Sequence, residues 1–327
     1  MIKSIIISTQ RSPKLKIEWY HLLEHCLVEE LQFLIDSSDL KETGIVLEAE
    51  TFIDGFYVEI IFNDTKDYNN LIKIIRKGIK NVSESKIIFE QIEVLNEEVK
   101  HFDLTIEEKS LYNSIITVTG QNIEELYCKI NKLDIVDIRN FFEKVDYRLT
   151  YTNKDSFEII QDSKMSSIKV NENNFNVYKQ EPYLNGFIKK EISTTNEFML
   201  LSLLSFMIGK SNNSILDKQY LNKNNYYLGY SHDINVYGIF IILFVAEYKK
   251  DTEFINKDSI HSFIENCNFS MYRNAFITYF CLTENPRSIA KIFSRNLNQF
   301  PSIKYKHLIQ EIHQINKEDL LSFVEFL

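Results

Sequence analysis

Glycine and proline are scarce in this chain, at 8 and 4 of 327 residues. That excludes collagen-like and low-complexity architectures and disfavours folds built from many tight turns. Cysteine is as rare. Cys26, Cys128, Cys267 and Cys281 lie far apart with no C-x-x-C pair, which argues against a disulfide framework and for reduced, mostly buried thiols in a cytoplasmic protein. Long apolar runs are missing too. Ile239–Ala246 stops at Glu247, well short of the roughly 18–20 residues of a membrane helix. The opening MIKSIIISTQRSPK has neither a long apolar stretch nor a small-residue cleavage site, so no secretory signal and no membrane partner are expected. An excess of basic charge is also lacking: 37 Lys+Arg face 46 Asp+Glu, for a formal net charge of −9. Nucleic acid is therefore not an expected partner.

What is present describes an ordinary folded protein. Hydrophobic residues make up 44% and charged residues 25%, enough for a core, and 327 residues exceed one average domain. Ile2–Ser8 reads as a strand and Ile17–Leu34 as a helix. Gly44–Phe62 alternates as a strand or hairpin would. Tyr68–Lys77, Ser85–Lys100, Asn122–Asn131 and Asp134–Lys144 read as helices, and Tyr147–Tyr151 as a strand. A weak internal repeat then matches Leu133–Phe141 with Ile315–Phe323, about half the chain later. In each copy a residue suited to N-capping (Asp134, Asn316) stands three positions before an acidic one. The repeat favours two related domains, 1–160 and 161–327, with the polar stretch Asn153–Asn176 at their boundary.

The motif that carries chemistry is His21-Leu22-Leu23-Glu24-His25. On a helix, positions i, i+3 and i+4 share a face, so two imidazoles can grip one metal ion while the carboxylate between them reaches a water on that ion. This is the H-x-x-E-H order. The competing explanation is a solvated His/Glu face with no metal. A catalytic zinc also needs a third protein ligand, and the helix over Ser85–Lys100 carries several acids. At about 100° per residue, Ile88, Ile92, Leu95 and Val99 mark one apolar face. Glu98 and Gln91 fall inside that face, while Glu90, Glu93 and Glu97 point away. Glu98 is thus the acid of this helix that lies on its inward face.

With these residues in place, the sequence resembles the insulinase/pitrilysin metallopeptidases, which include mitochondrial processing peptidase. Those enzymes pair H-x-x-E-H with a glutamate on a helix some seventy-odd residues on; the resemblance implies Glu97 or Glu98 as that ligand, and the inward face favours Glu98. Gln91 stands where the Glu98 register would have the family's second acid. Gly44–Tyr57 is similar to the family's edge-strand region, with Glu48 in place of its asparagine. In the second half, Ser211–Leu216 and Leu221–Ser231 are similar to a segment in which an arginine and a tyrosine contact the peptide. Lys223 and Tyr230 occupy those positions. Phe198–Gly209, at the place of the zinc helix, has no His or Glu.

The resemblance implies an α+β fold of two related α/β-sandwich domains, each a mixed sheet covered by helices. It further implies a zinc endopeptidase with one Zn2+ per chain on His21, His25 and Glu98, and with Glu24 as proton carrier. Tyr230 and Lys223 would steady the developing charge. A homodimer, or a heterodimer with a related subunit, would enclose short or unfolded peptide substrates such as leader peptides. The alternative is a non-catalytic, peptide-binding partner subunit, for which Gln91 and Lys223 speak. The remaining histidines (His101, His232, His261, His307, His313) form no ligand-spaced pair.

Overall fold

A computed structural model describes residues 2–12, 15–52, 55–63, 68–101, 128–153, 155–163, 175–180, 183–219, 228–234, 239–247, 255–294 and 302–325. In chain order it begins with β1 (Lys3–Gln10), α1 (Ile17–Asp36), β2 (Val46–Phe52), β3 (Gly55–Phe62), α2 (Tyr68–Asn81) and α3 (Ile87–His101). A 3-10 turn (Lys132–Asp134), α4 (Ile135–Phe142), β4 (Arg148–Thr152) and β5 (Ser156–Gln161) follow. Next come β6 (Phe175–Gln180), β7 (Tyr183–Glu191), α5 (Thr195–Ser205), a π-helical turn (Phe206–Lys210), α6 (Ile215–Gln219), β8 (Leu228–Ile234) and β9 (Ile239–Glu247). The chain closes with α7 (Lys257–Asn266), α8 (Phe269–Thr283), α9 (Pro286–Ser294), β10 (Ser302–Lys304), α10 (Tyr305–Gln314) and α11 (Lys317–Glu325).

Two compact units result. Among the described residues, the first holds those up to 101, then 128–163, and also 286–294 and 302–303. The second holds the remainder of the described residues from 175 onward. The fold class is the α+β one expected, with sheets covered by helices. A single cut at 160, however, does not describe residues 286–294, which follow most of the second unit in sequence and complete the first.

The first unit is built on a six-stranded sheet ordered β10-β5-β4-β1-β3-β2, with β2 at an edge. Pairs β1–β3, β1–β4, β2–β3 and β4–β5 are antiparallel. β1 is the central strand, and its residues Ser4–Thr9 are buried on both faces. One face is apolar: Ile5 and Ile7 with Phe56, Val58, Ile60, Phe62 and Leu149 form a core with Leu23, Cys26, Leu27 and Leu31 of α1. α2 and α3 lie outside α1 and contribute Leu71, Ile75, Ile88, Ile92 and Leu95. The other face carries buried polar groups, Ser4, Ser8, Glu59, Arg148, Thr150 and Thr152, beside Ile6.

α9 closes that polar face. Arg287 donates from Nε and Nη2 to the two Glu59 oxygens at 2.8 and 3.0 Å, and Lys291 Nζ lies 2.9 Å from Glu59 Oε2. Lys291 also donates to Glu48 at 3.0 Å. At the other end of α9, the Ser294 carbonyl accepts from Ser8 Oγ at 2.8 Å and from Arg148 Nη1 at 3.3 Å. A helix C-terminus is thereby capped by a hydroxyl and a cation, as its orphan carbonyls and dipole favour. Gly55, at φ +152, opens β3 where a Cβ would lie 2.0 Å from the Thr9 carbonyl oxygen, so no larger residue fits there.

The second unit carries a four-stranded antiparallel sheet ordered β6-β7-β9-β8. Its segment β7–α5–β8–β9 repeats β1–α1–β2–β3, in both connection and strand order. The strand beside β7 is β6, which precedes it in the chain, whereas the strand beside β1 is β4, which follows it. α5 packs on β9 and against α10 and α11. It opens with a capping box in which Thr194 and Glu197 each bond the other's backbone N–H. Gly186 lets the Phe244 ring lie across the neighbouring strand, where a Cβ would be 2.0 Å from it.

Three expectations are corrected. Asp134 makes no cap; Asn131 accepts from the Leu133 N–H instead and starts a 3-10 turn before α4. In the second copy the box does form, with Asn316 and Asp319 bonding reciprocally at 2.9 and 2.8 Å. Of the four free thiols only Cys26 is buried, Cys267 is half-buried, and Cys128 and Cys281 are exposed. The expected helix Asn122–Asn131 lies outside the described residues up to 127, and 128–131 are not helical.

Candidate metal centre

His21, Glu24 and His25 sit on α1, with Leu22, Leu23, Cys26 and Leu27 buried around them. Leu23, Cys26 and Leu27 hold the helix against the sheet, and this rigid seat sets where the imidazoles point. His21 Nε2 and His25 Nε2 face each other at 3.2 Å. Glu98, arriving on α3, brings Oε2 to 3.9 Å from His21 Nε2. One ligand atom from each of His21, His25 and Glu98 lies within 4.8 Å of the other two, the one such group found among the described residues. Glu97 points away and pairs with Lys100. The expectation that Glu98 lies inside the buried face needs correction: its side chain is 50% exposed. It flanks the face formed by Ile88, Ile92 and Leu95, which costs the carboxylate less hydration than full burial would.

Gln91, two turns before Glu98 on α3, turns its Oε1 to His25 Nδ1 at 3.2 Å. A carbonyl oxygen only accepts, so Nδ1 carries the proton and Nε2 of a neutral His25 is a bare lone pair. That lone pair faces another ring nitrogen, an arrangement that calls for a shared proton or a cation. A tetrahedral zinc with Zn–N of about 2.0–2.1 Å would hold two nitrogens about 3.3–3.4 Å apart. The 3.2 Å spacing fits that figure closely. The carboxylate oxygen at 3.9 Å is within a small rotation of it. Burial, and next the neighbouring His25, hold the His21 imidazole down to about 4, so this ring is neutral at pH 7.

Glu24 is buried, and its Oε2 accepts from Thr51 Oγ1 of edge strand β2 at 2.7 Å. Burial pushes its carboxyl above the usual carboxylate range. The Thr51 hydroxyl and His25 oppose that, while Glu98 and Glu50 add to it. A carboxyl raised in this way is a better proton acceptor than an exposed one.

Neither a family model nor a curated protein matches the sequence. Among solved structures, a protease from Helicobacter pylori aligns at TM-score 0.60 and 13% identity, over 99% of this chain and 90% of that one. A peptidase M16 inactive domain from Pseudomonas fluorescens aligns at TM-score 0.64 and 8% identity, over 98% of this chain and 88% of that one. The chain has the M16 peptidase fold. At such identities the likeness extends to the fold alone, and one of these two structures is named as an inactive domain. Chemistry in this chain therefore rests on its own side chains.

The remaining site candidates are not brought to the His21–His25–Glu98 cluster by anything described. Tyr230 lies on β8 opposite Phe244 of β9, and Lys223 lies outside the described residues. The Thr51–Glu24 contact escaped the sequence reading. A β-branched hydroxyl at an inward-facing position of β2 was the available signal for Thr51.

Proposed function

We propose that this chain is a zinc-dependent endopeptidase acting on short or unfolded peptides. The observation that carries the reading is the convergence of His21, His25 and Glu98, with the buried carboxyl of Glu24 one turn from His21 on the same helix. His21, His25 and Glu98 would hold the ion. When bound, it supplies Lewis acidity, polarising the scissile carbonyl and acidifying the attacking water. Glu24 takes the water's proton on a carboxylate oxygen and returns it to the leaving amide nitrogen. The edge strand β2, at the rim of the sheet, receives the peptide backbone as an added strand, a mode that tolerates many sequences. Tyr230 and Lys223 steady the oxyanion, in a homodimer or in a heterodimer with a related subunit. Leader peptides are the favoured substrates, and a cytoplasmic setting suits them. No helix of the described residues is long and apolar enough to cross a membrane.

A second reading, a non-catalytic peptide-binding subunit, is favoured by the uncharged Gln91 and by the inactive domain among the structural neighbours. Zinc stoichiometry together with peptide cleavage by wild type and Glu24→Gln separates the two. One zinc per chain and cleavage lost in Glu24→Gln support the peptidase. Bound zinc without Glu24-dependent cleavage, with any partner subunit supplied, supports the binding subunit. No zinc at all refutes both the metal centre and the peptidase.

A further inference from the structure

We propose that Thr51 is a positioning residue for Glu24, tying the proton-carrying carboxylate to the strand that receives the peptide; this rests on the peptidase reading above. The side chains of β2 alternate. Val46, Glu48, Glu50 and Phe52 take one side, and Leu47, Ala49 and Thr51 the other. On the second side the cross-strand partners are Ile60, Val58 and Phe56, all fully buried in the apolar core, and Leu47 and Ala49 pack against that core. Thr51 is thus the one polar side chain that β2 turns toward α1. Valine would have the same shape and the same liking for a strand, so packing alone does not account for a hydroxyl here. The hydroxyl donates to Glu24 Oε2 at 2.7 Å. This is a charge-assisted bond to a carboxylate that is 7% exposed.

A carboxylate held by one oxygen keeps the other in a set direction. Without the donor, Glu24 can rotate about its terminal torsion, which is broad and roughly two-fold. The population aligned with the reacting water then falls. Because β2 is the edge strand, a peptide added to it stiffens the strand that carries Thr51, and through Thr51 the carboxylate. The interaction therefore acts on turnover rather than on affinity.

The test uses the full-length, zinc-loaded protein and the fastest-cut member of a pool of short, unstructured, internally quenched peptides. Thr51→Val should lower kcat about 10–100-fold with KM nearly unchanged, and Thr51→Ser should restore most of the loss. Zinc affinity, measured by competition with a chromophoric chelator, should stay within about twofold of wild type in both variants, since Thr51 touches no proposed ligand. In metal-free protein, Thr51→Val should lower the urea midpoint in the wild-type background and have less effect once Glu24 is Leu. Wild-type turnover unaltered by Thr51→Val, or a loss carried wholly by KM, overturns this inference and leaves the peptidase reading standing. A wild type that binds zinc but shows no Glu24-dependent cleavage overturns that reading and this inference together.

Discussion

Replacing Gln91 with leucine isolates the contact made at His25 Nδ1. Gln91 Oε1 is 3.2 Å from His25 Nδ1, so the substitution removes a single acceptor while keeping side-chain size. A neutral hydrogen bond of this kind is worth about 0.5–1.5 kcal/mol net. Its loss also frees the imidazole to place its proton on either nitrogen, which costs binding a further factor of about two, or roughly 0.4 kcal/mol. The sum, about 1–2 kcal/mol, corresponds to a zinc Kd about 5–30-fold weaker. That overlaps the lower part of the 10–100-fold range usual for groups that orient metal-bound histidines.

Gln91→Glu should act in the opposite sense. A carboxylate accepts from Nδ1–H about twice as strongly as an amide, so zinc should bind several-fold more tightly than in wild type. Competition with a chromophoric chelator at pH 7.5 measures all three proteins, and circular dichroism checks that each is folded. Wild-type zinc affinity in a folded Gln91→Leu variant would refute the argument that this side chain governs the His25 donor atom. A Gln91→Glu variant binding more weakly than wild type would refute the charge argument.

The two acidic neighbours on α3 should behave differently. Glu98→Gln should weaken zinc by more than about 100-fold, because it removes a proposed ligand rather than its support. Glu97→Gln should leave zinc affinity unchanged, because Glu97 only pairs with Lys100 at the surface. The buried clasp of α9 should show in stability. Glu59 is fully buried under Arg287 and Lys291, whose side chains are 29% and 24% exposed, so Glu59→Gln should cost about 2–4 kcal/mol in urea unfolding. Burial pushes the Glu59 carboxyl up, but the hydrogen bonds from Arg287 and Lys291 outweigh it and hold the group below the usual range. The stabilisation is therefore complete above the unfolded carboxyl value of about 4.3. It is lost as pH falls through the lower folded value, and the gap between wild type and variant should close there.

Local pattern carried much of the first unit. β1, α1, the β2–β3 hairpin and α3 were legible because each buries one periodic face on a neighbour, and periodicity records burial. α9 was not. Its apolar residues Ile289, Ala290 and Phe293 mark a helix with one buried face, but nothing local says which sheet it covers. The partners of Arg287 and Lys291 are Glu48 and Glu59, more than two hundred positions earlier and adjacent only once β2 and β3 have paired. Asp134 misled because caps compete locally, and Asn131 reached the free N–H groups first by adding a 3-10 turn. Gln91 looked like the loss of a charge. Orienting an imidazole requires only an acceptor, and an amide oxygen supplies one.

The absence of ligands from α5 follows from packing as well as from composition. α1 and α5 occupy the same step in two copies of one strand–helix–hairpin segment, but α5 is open chiefly at its first turn, where Asn196 is exposed, whereas α1 is open at its histidine. His21 keeps 37% of its side chain exposed and faces the half-exposed Glu98, so a solute can reach the space between them. On α5, Phe198, Met199 and Leu201–Ser205 are all buried. An ion there would have to be reached through closed packing, and a charged ligand would lose hydration without gaining an open coordination position. A helix closed from Leu201 to Ser205 is suited to holding a unit together, and a helix with an accessible flank beside its histidines is suited to chemistry. Histidines grafted onto α5 at the spacing of His21 and His25 should therefore destabilise the second unit rather than create a second zinc centre.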